Sequence, residues 1–80
     1  MTTKNIKRGK RYEYQIGDTL VTLVNPPMPG NHRQLAPTAE AWHRFAVTTY
    51  GPEVVDFTVE WDENGRVSHR VEYIDGRVLV

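Results

Sequence analysis

From Val54 to Val80 apolar and polar residues alternate with a period of two, interrupted by two short glycine-containing turns. Val55, Phe57, Val59 and Trp61 fall on one side of the first run, and Val67, His69, Val71 and Tyr73 repeat the pattern after Asn64-Gly65. Such spacing belongs to strands with one dry and one wet face. A two-residue turn at Asn64-Gly65 would set Trp61 opposite Ser68 and Val59 opposite Arg70, mixing apolar and charged side chains, so the pattern selects a register one residue removed. Asp62 then opens a type I turn that closes as a bulge with Gly65 in the left-handed conformation. Trp61 faces Val67, Val59 faces His69, Phe57 faces Val71 and Val55 faces Tyr73. Asp75-Gly76 has the residues of a two-residue type I′ turn, which would pair Tyr73 with Val78 and Val71 with Val80. The expected product is a three-stranded meander with Val55, Phe57, Val59, Trp61, Val67, His69, Val71, Tyr73, Val78 and Val80 on its inner face.

The same period governs the start of the chain. Tyr12, Tyr14 and Ile16 alternate with Glu13 and Gln15, and Val21 and Leu23 follow at matching parity after Gly17-Asp18. A type II′ turn there pairs Ile16 with Thr19, Tyr14 with Val21 and Tyr12 with Leu23. The outer face of this hairpin carries Leu20, Thr22 and Val24, more apolar than solvent requires, so a helix or a partner is expected over part of it. Between Asn25 and Pro37, four prolines and Gly30 forbid helix or central strand, leaving a stiffened loop that presents Met28, His32, Arg33 and Leu35. The period then changes to that of a helix. Thr38 is the expected N-cap, with Glu40 in the first turn, and Trp42, Phe45, Ala46 and Thr49 share a face before Gly51-Pro52 ends the segment.

Two strands, a helix and three strands make an α+β domain, in which the helix packs on a five-stranded, mainly antiparallel sheet. A small curled barrel capped by the helix satisfies the same pattern. Residues 1–9 are polar and basic and read as a flexible arm, with residues 10–80 as the single domain.

Eighty residues supply a small core, so self-association as a homodimer stays open beside a monomer. The chain has no cysteine, which excludes disulfides and thiolate metal sites and suits a reducing, cytoplasmic setting. No apolar run reaches the length of a membrane span. Formal net charge is zero but unevenly spread: Lys4, Lys7, Arg8, Lys10 and Arg11 precede every acid, and from Glu53 onward seven acids face three arginines. Such polarity fits a partner with a charged patch. Neither a phosphate loop nor a nucleophile motif occurs, and His32, His43 and His69 lie at no metal-ligand spacing. His69, opposite Val59, reads as a hydrogen-bonded core or rim residue, and His43 as an exposed helix residue. No catalytic residue, cofactor or metal is expected, and the chain is read as non-enzymatic.

Two binding surfaces remain. Asp56, Glu60, Asp62 and Glu63 form an acidic strand face that could imitate phosphate, and with Met28, His32 and Arg33 of the loop they make the candidate protein-binding residues. The alternative is a nucleic-acid module in which Lys4, Lys7, Arg8, Lys10 and Arg11 contact phosphates while Tyr12 and Tyr14 stack on bases, provided these tyrosines lie on an open sheet face.

The run Trp61-Asp62-Glu63-Asn64-Gly65-Arg66-Val67 with Tyr73-Ile74-Asp75-Gly76-Arg77-Val78 resembles the turn chemistry of tyrosine-aspartate repeat proteins, but it occurs once and turn physics accounts for it. In overall character the compact, cysteine-free, charge-segregated chain resembles small phage-encoded inhibitors of host defence such as anti-CRISPR proteins. That resemblance implies a protein that binds a host effector complex and blocks its nucleic-acid or partner site.

Overall fold

The computed structural model describes residues 10–80. Lys4, Lys7 and Arg8 of the expected arm lie outside the described residues. The elements follow the expected order: β1 (Arg11–Ile16), β2 (Thr19–Val24), α1 (Ala36–Tyr50), β3 (Val54–Trp61), β4 (Val67–Tyr73) and β5 (Val78–Leu79). The strands lie side by side in that same order in one sheet. Every neighbouring pair is antiparallel except β2 and β3, which the helical crossover makes parallel. The sheet is open, with β1 and β5 at its edges, so the two-layer arrangement holds and the barrel does not.

The first hairpin has the expected register, with Tyr12 opposite Leu23, Tyr14 opposite Val21 and Ile16 opposite Thr19, and Gly17 supplies the positive φ of 61°. β2 is buried along almost its whole length. On the outer face, Thr22 and Val24 are buried between Glu13 and Thr58, and between Arg11 and Glu60, respectively. A strand flanked on both sides, one partner being parallel, is the setting in which near-continuous apolar sequence is found.

Between β3 and β4 the bulged turn forms as expected. Gly65 has φ 82°, and Trp61, Val59 and Phe57 face Val67, His69 and Val71. Asp62 accepts the amides of Asn64 at 2.8 Å and Arg66 at 2.9 Å through Oδ1. The far end of this pair differs. Tyr73 faces Val54, not Val55, because a bulge follows Val54. The Ile74 amide donates to Glu53 O at 2.9 Å, which shifts the strand by one residue and puts Val54 into the core.

The second turn of the meander is a correction. Gly76 alone has positive φ, whereas a type I′ turn needs it at both central residues. Instead the bonds of the first turn recur: Gly76 N donates to Tyr73 O at 2.8 Å and Tyr73 N to Arg77 O at 2.9 Å, as Gly65 N does to Asp62 O and Asp62 N to Arg66 O. Asp75 Oδ1 accepts from the Arg77 amide at 3.1 Å, and the Arg77 guanidinium lies 4.5 Å above the Tyr73 ring. The extra residue moves the register, so Val78 faces Glu72 and Leu79 faces Val71. Val78 and Val80 therefore leave the expected inner face, and Leu79 joins it.

The start and rotation of the helix also differ from expectation. Leu35 is the N-cap, not Thr38, and Glu40 falls beyond the first turn. The run-in is stabilised one turn earlier. Asn31 Oδ1 accepts the Gln34 amide and Gln34 Oε1 accepts the Asn31 amide, both at 2.9 Å, a reciprocal pair of the capping-box kind. Leu35, expected at the loop surface, is only 2% exposed and belongs to the core. The buried stripe of α1 runs through Ala39 and Ala46, with Trp42 and Tyr50 partly buried beside it. Phe45 stands about 100° around the helix from Ala46 and is 40% exposed. Thr49 is exposed and His43 half-buried, the reverse of what the expected face required. The core lies between this stripe and the inner residues Tyr14, Val21, Leu23, Val54, Phe57, Val59, Val71 and Tyr73. A buried side-chain hydrogen bond, Thr19 Oγ1 donating to Val54 O at 2.7 Å, ties the start of β2 to the start of β3.

Candidate functional site: a groove between the helix and the fourth strand

α1 packs on β1, β2 and β3, so the inner face of β4 is left partly bare. The two small residues of its buried stripe let the backbone sit close to the sheet, and the larger side chains fan out to one side. Trp42 reaches Trp61 edge-on at 6.2 Å and Phe57 at 6.1 Å. Phe45 meets Trp42 edge-on at 5.5 Å and the His69 ring at 5.8 Å. Between this aromatic fan and β4 opens a groove of 690 Å³, lined by Pro37, Thr38, Ala41, Trp42, Phe45, Val67 and His69. Its wall is almost wholly apolar, and Val67 remains 46% exposed although it faces the buried Trp61.

Thr38 and His69 are the polar residues of that wall, and the His69 ring is held in place. Its Nε2 lies 2.7 Å from the Tyr50 hydroxyl, and Tyr73 Oη in turn donates to Tyr50 O at 3.0 Å. This chain holds the imidazole on the groove floor.

The loop residues proposed from sequence are drawn elsewhere. His32 stacks on Tyr14, with ring centroids 4.2 Å apart and planes 12° from parallel. Its Nε2 lies 2.8 Å from Glu13 O, and Tyr14 Oη donates to His32 O at 2.6 Å. The loop thus straps across the inner face of β1. Burial raises the Tyr14 pKa above its ordinary value, and the ring has no open face for stacking on a base. Tyr12 is half-buried beneath the same loop, its hydroxyl 3.4 Å from Gly30 O. Lys10 and Arg11 are exposed, Arg11 beside Glu13 at 3.7 Å. Met28 and Arg33 are exposed on the strap.

Asp56 and Glu60 project from the outer face of β3, the side away from the groove, with Thr58 between them and Arg70 directly across from Thr58. Asp62 is bound into its turn, where the amides of Arg66 and Asn64 hold its carboxyl below the ordinary carboxylate value. Glu63 is exposed at the turn tip. Asp56 and Glu60 thus sit on one side of the sheet beside Arg70, Asp62 and Glu63 belong to the turn at its end, and the loop residues lie on the other side. The groove residues Trp42, Phe45, Val67 and His69 do come together, and none was singled out as a binding residue from sequence. The available signal was the Trp42, Phe45 spacing: two large aromatics three apart beside Ala39 and Ala46 cannot both lie beneath a helix that sits low on its sheet.

The fold and groove define a mixed-sheet α+β protein in which α1 leaves an apolar trough beside the fourth strand. Comparison with known proteins adds no relative, since no family model, curated protein or solved structure matches the chain.

Proposed function

We propose that this chain is a non-enzymatic protein-binding module, an inhibitor or adaptor, that engages its partner through the groove between α1 and β4. The observation that carries this reading is the exposure of Phe45 and Val67 on either side of a 690 Å³ apolar trough. Apolar surface gathered in a concave patch is costly to leave in water and is typical of a recognition site. Trp42 and Phe45 are rigid aromatic anchors of the kind that concentrates binding energy. The acidic outer face, with Asp56 and Glu60, would steer association with a basic, nucleic-acid-handling partner without forming the anchoring contact.

Affinity capture from bacterial lysate with the wild-type chain, Phe45→Glu and Glu60→Lys tests the reading. A stoichiometric protein partner should be retained by the wild type and by Glu60→Lys, and lost with Phe45→Glu while circular dichroism shows the variant folded. Recovery of no stoichiometric protein over a range of salt would overturn it, as would loss confined to Glu60→Lys or capture abolished by nuclease.

A further inference from the structure

β4 is seven residues long and β5 only two, so β5 pairs with β4 at Val71 and Glu72 alone. From Val67 to Arg70 no strand among the described residues lies on that side of β4. Hydrogen-bonded and non-bonded pairs alternate along an antiparallel ladder, and the bond from Asp62 N to Arg66 O fixes the phase against β3. Ser68 and Arg70 therefore point their backbone groups toward β3, and Val67 and His69 point theirs away. The bond from Tyr73 N to Arg77 O confirms that parity from the other side. The side chains of Val67 and His69 also line the groove. An unpaired stretch of strand edge and an apolar trough thus occupy the same few residues.

Resting on the protein-binding reading above, we infer that the groove takes an extended peptide segment of the partner by strand addition. The segment lies antiparallel to β4 in line with β5, and its backbone pairs with Val67 and His69. An unpaired edge offers main-chain hydrogen bonds to any extended chain, and pockets beside it select alternate side chains. Residues of the segment directly opposite Val67 and His69 share their face and enter the trough among Trp42, Phe45 and Ala41, so they are apolar. The intervening residues lie on the outer face beside Ser68 and Arg70. Glu60 faces Ser68 across the ladder, with Arg66 and Arg70 on either side of Ser68, so the outer face here carries both signs of charge. The segment therefore alternates large apolar with polar residues.

The test uses the whole chain and a capped eight-residue peptide alternating isoleucine with glutamate, beside two versions N-methylated on either the isoleucine or the glutamate amides. The unmodified peptide should bind and slow hydrogen exchange at the Val67 and His69 amides at least about tenfold. Phe45→Glu and isoleucine methylation should each weaken binding at least about tenfold, whereas glutamate methylation should not, because only the isoleucine amides face β4. No binding, or binding that leaves the Val67 and His69 amides unprotected, would overturn strand addition. Protection of these amides by the chain's own concentration, with a doubled mass by light scattering, would assign the edge to a second copy and overturn the peptide reading. Groove-dependent capture of a partner would still stand in those cases, so the two proposals fail separately.

Discussion

Trp61 and Val67 face each other on one rung of the sheet, yet Trp61 is 8% exposed and Val67 46%. The helix side chains cover one and stop short of the other. Replacing Trp61 by Ala removes an indole packed edge-on against Trp42 at 6.2 Å and leaves a void that the neighbouring rings cannot close. Aromatic truncations in such settings cost about 3–5 kcal/mol, of which the edge-on pair accounts for about 0.5–1.5 kcal/mol. A domain of this size has roughly 4–12 kcal/mol of total stability, so the variant should be near the edge of folding. Val67→Ala removes two carbons already half in water, and should cost less than about 1 kcal/mol. Thermal unfolding followed by far-ultraviolet circular dichroism separates the two. At about 4–8 °C per kcal/mol for a domain of this length, Trp61→Ala should melt at least about 12 °C below wild type, and Val67→Ala within about 8 °C of it. Equal losses at the two positions would refute the reasoning, because they would mean that the helix covers β4 and that the trough is closed in solution.

Two further outcomes test the turns. Gly65→Val and Gly76→Val should each destabilise by roughly 1–3 kcal/mol in urea titrations, since both positions require positive φ, where a β-branched residue is strained; Asp75→Ala should lose only the exposed bonds of its carboxylate to the Arg77 amide and guanidinium, whereas a type I′ turn would add backbone strain at residue 75. Backbone amides, those of Arg66 and Arg77 above all, hold the carboxyls of Asp62 and Asp75 below their ordinary value of 3.8. The unfolded chain thus takes up these protons first on acidification, so the contribution is complete above that value and is lost as pH falls through the native pKa values. Urea midpoints for Asp62→Asn should show a shallower acid limb than wild type, and an unchanged limb would remove the turn carboxylate from the account.

The strands were legible because their information is local. Alternation fixes which residues share a face, and a single glycine among turn formers sets the register at Gly17 and Gly65. At Asp75-Gly76 the same reasoning missed by one residue. Asp-Gly satisfies a two-residue turn and a bulged one equally well, and the choice is made by contacts outside the dipeptide: the Ile74 amide bonding to Glu53, which is distant in sequence, and the Arg77 side chain lying on Tyr73 across the turn. The bulge at Val54 has the same origin, and together they exchange Val55, Val78 and Val80 for Val54 and Leu79 on the inner face. At the helix start, Thr38 had the chemistry of a cap but stood too late. The cue lay in the Asn31, Gln34 pair, hidden within a segment dominated by prolines.

The groove was illegible for a different reason. Apolar periodicity reports that a helix has a dry side, but it does not set the angle at which that side meets the sheet. A stripe centred on Trp42 and Phe45 and one centred on Ala39 and Ala46 overlap in sequence. They differ by much of a quadrant of rotation, and that rotation decides whether Phe45 enters the core or borders a trough. Packing settles it. The two alanines allow close approach over β2 and β3, where Val21, Leu23, Phe57 and Val59 already fill the layer, while the rings are too large to fit beneath the helix axis and turn toward β4. A helix so placed cannot also cover the far side of the sheet, and β5 pairs with β4 at Val71 and Glu72 but not at Val67 to Arg70. The bare face of Val67 and His69 and their unpaired backbone thus arise together from where one helix lies and how short one strand is, which is why apolar side chains and strand-forming backbone are expected in the same ligand.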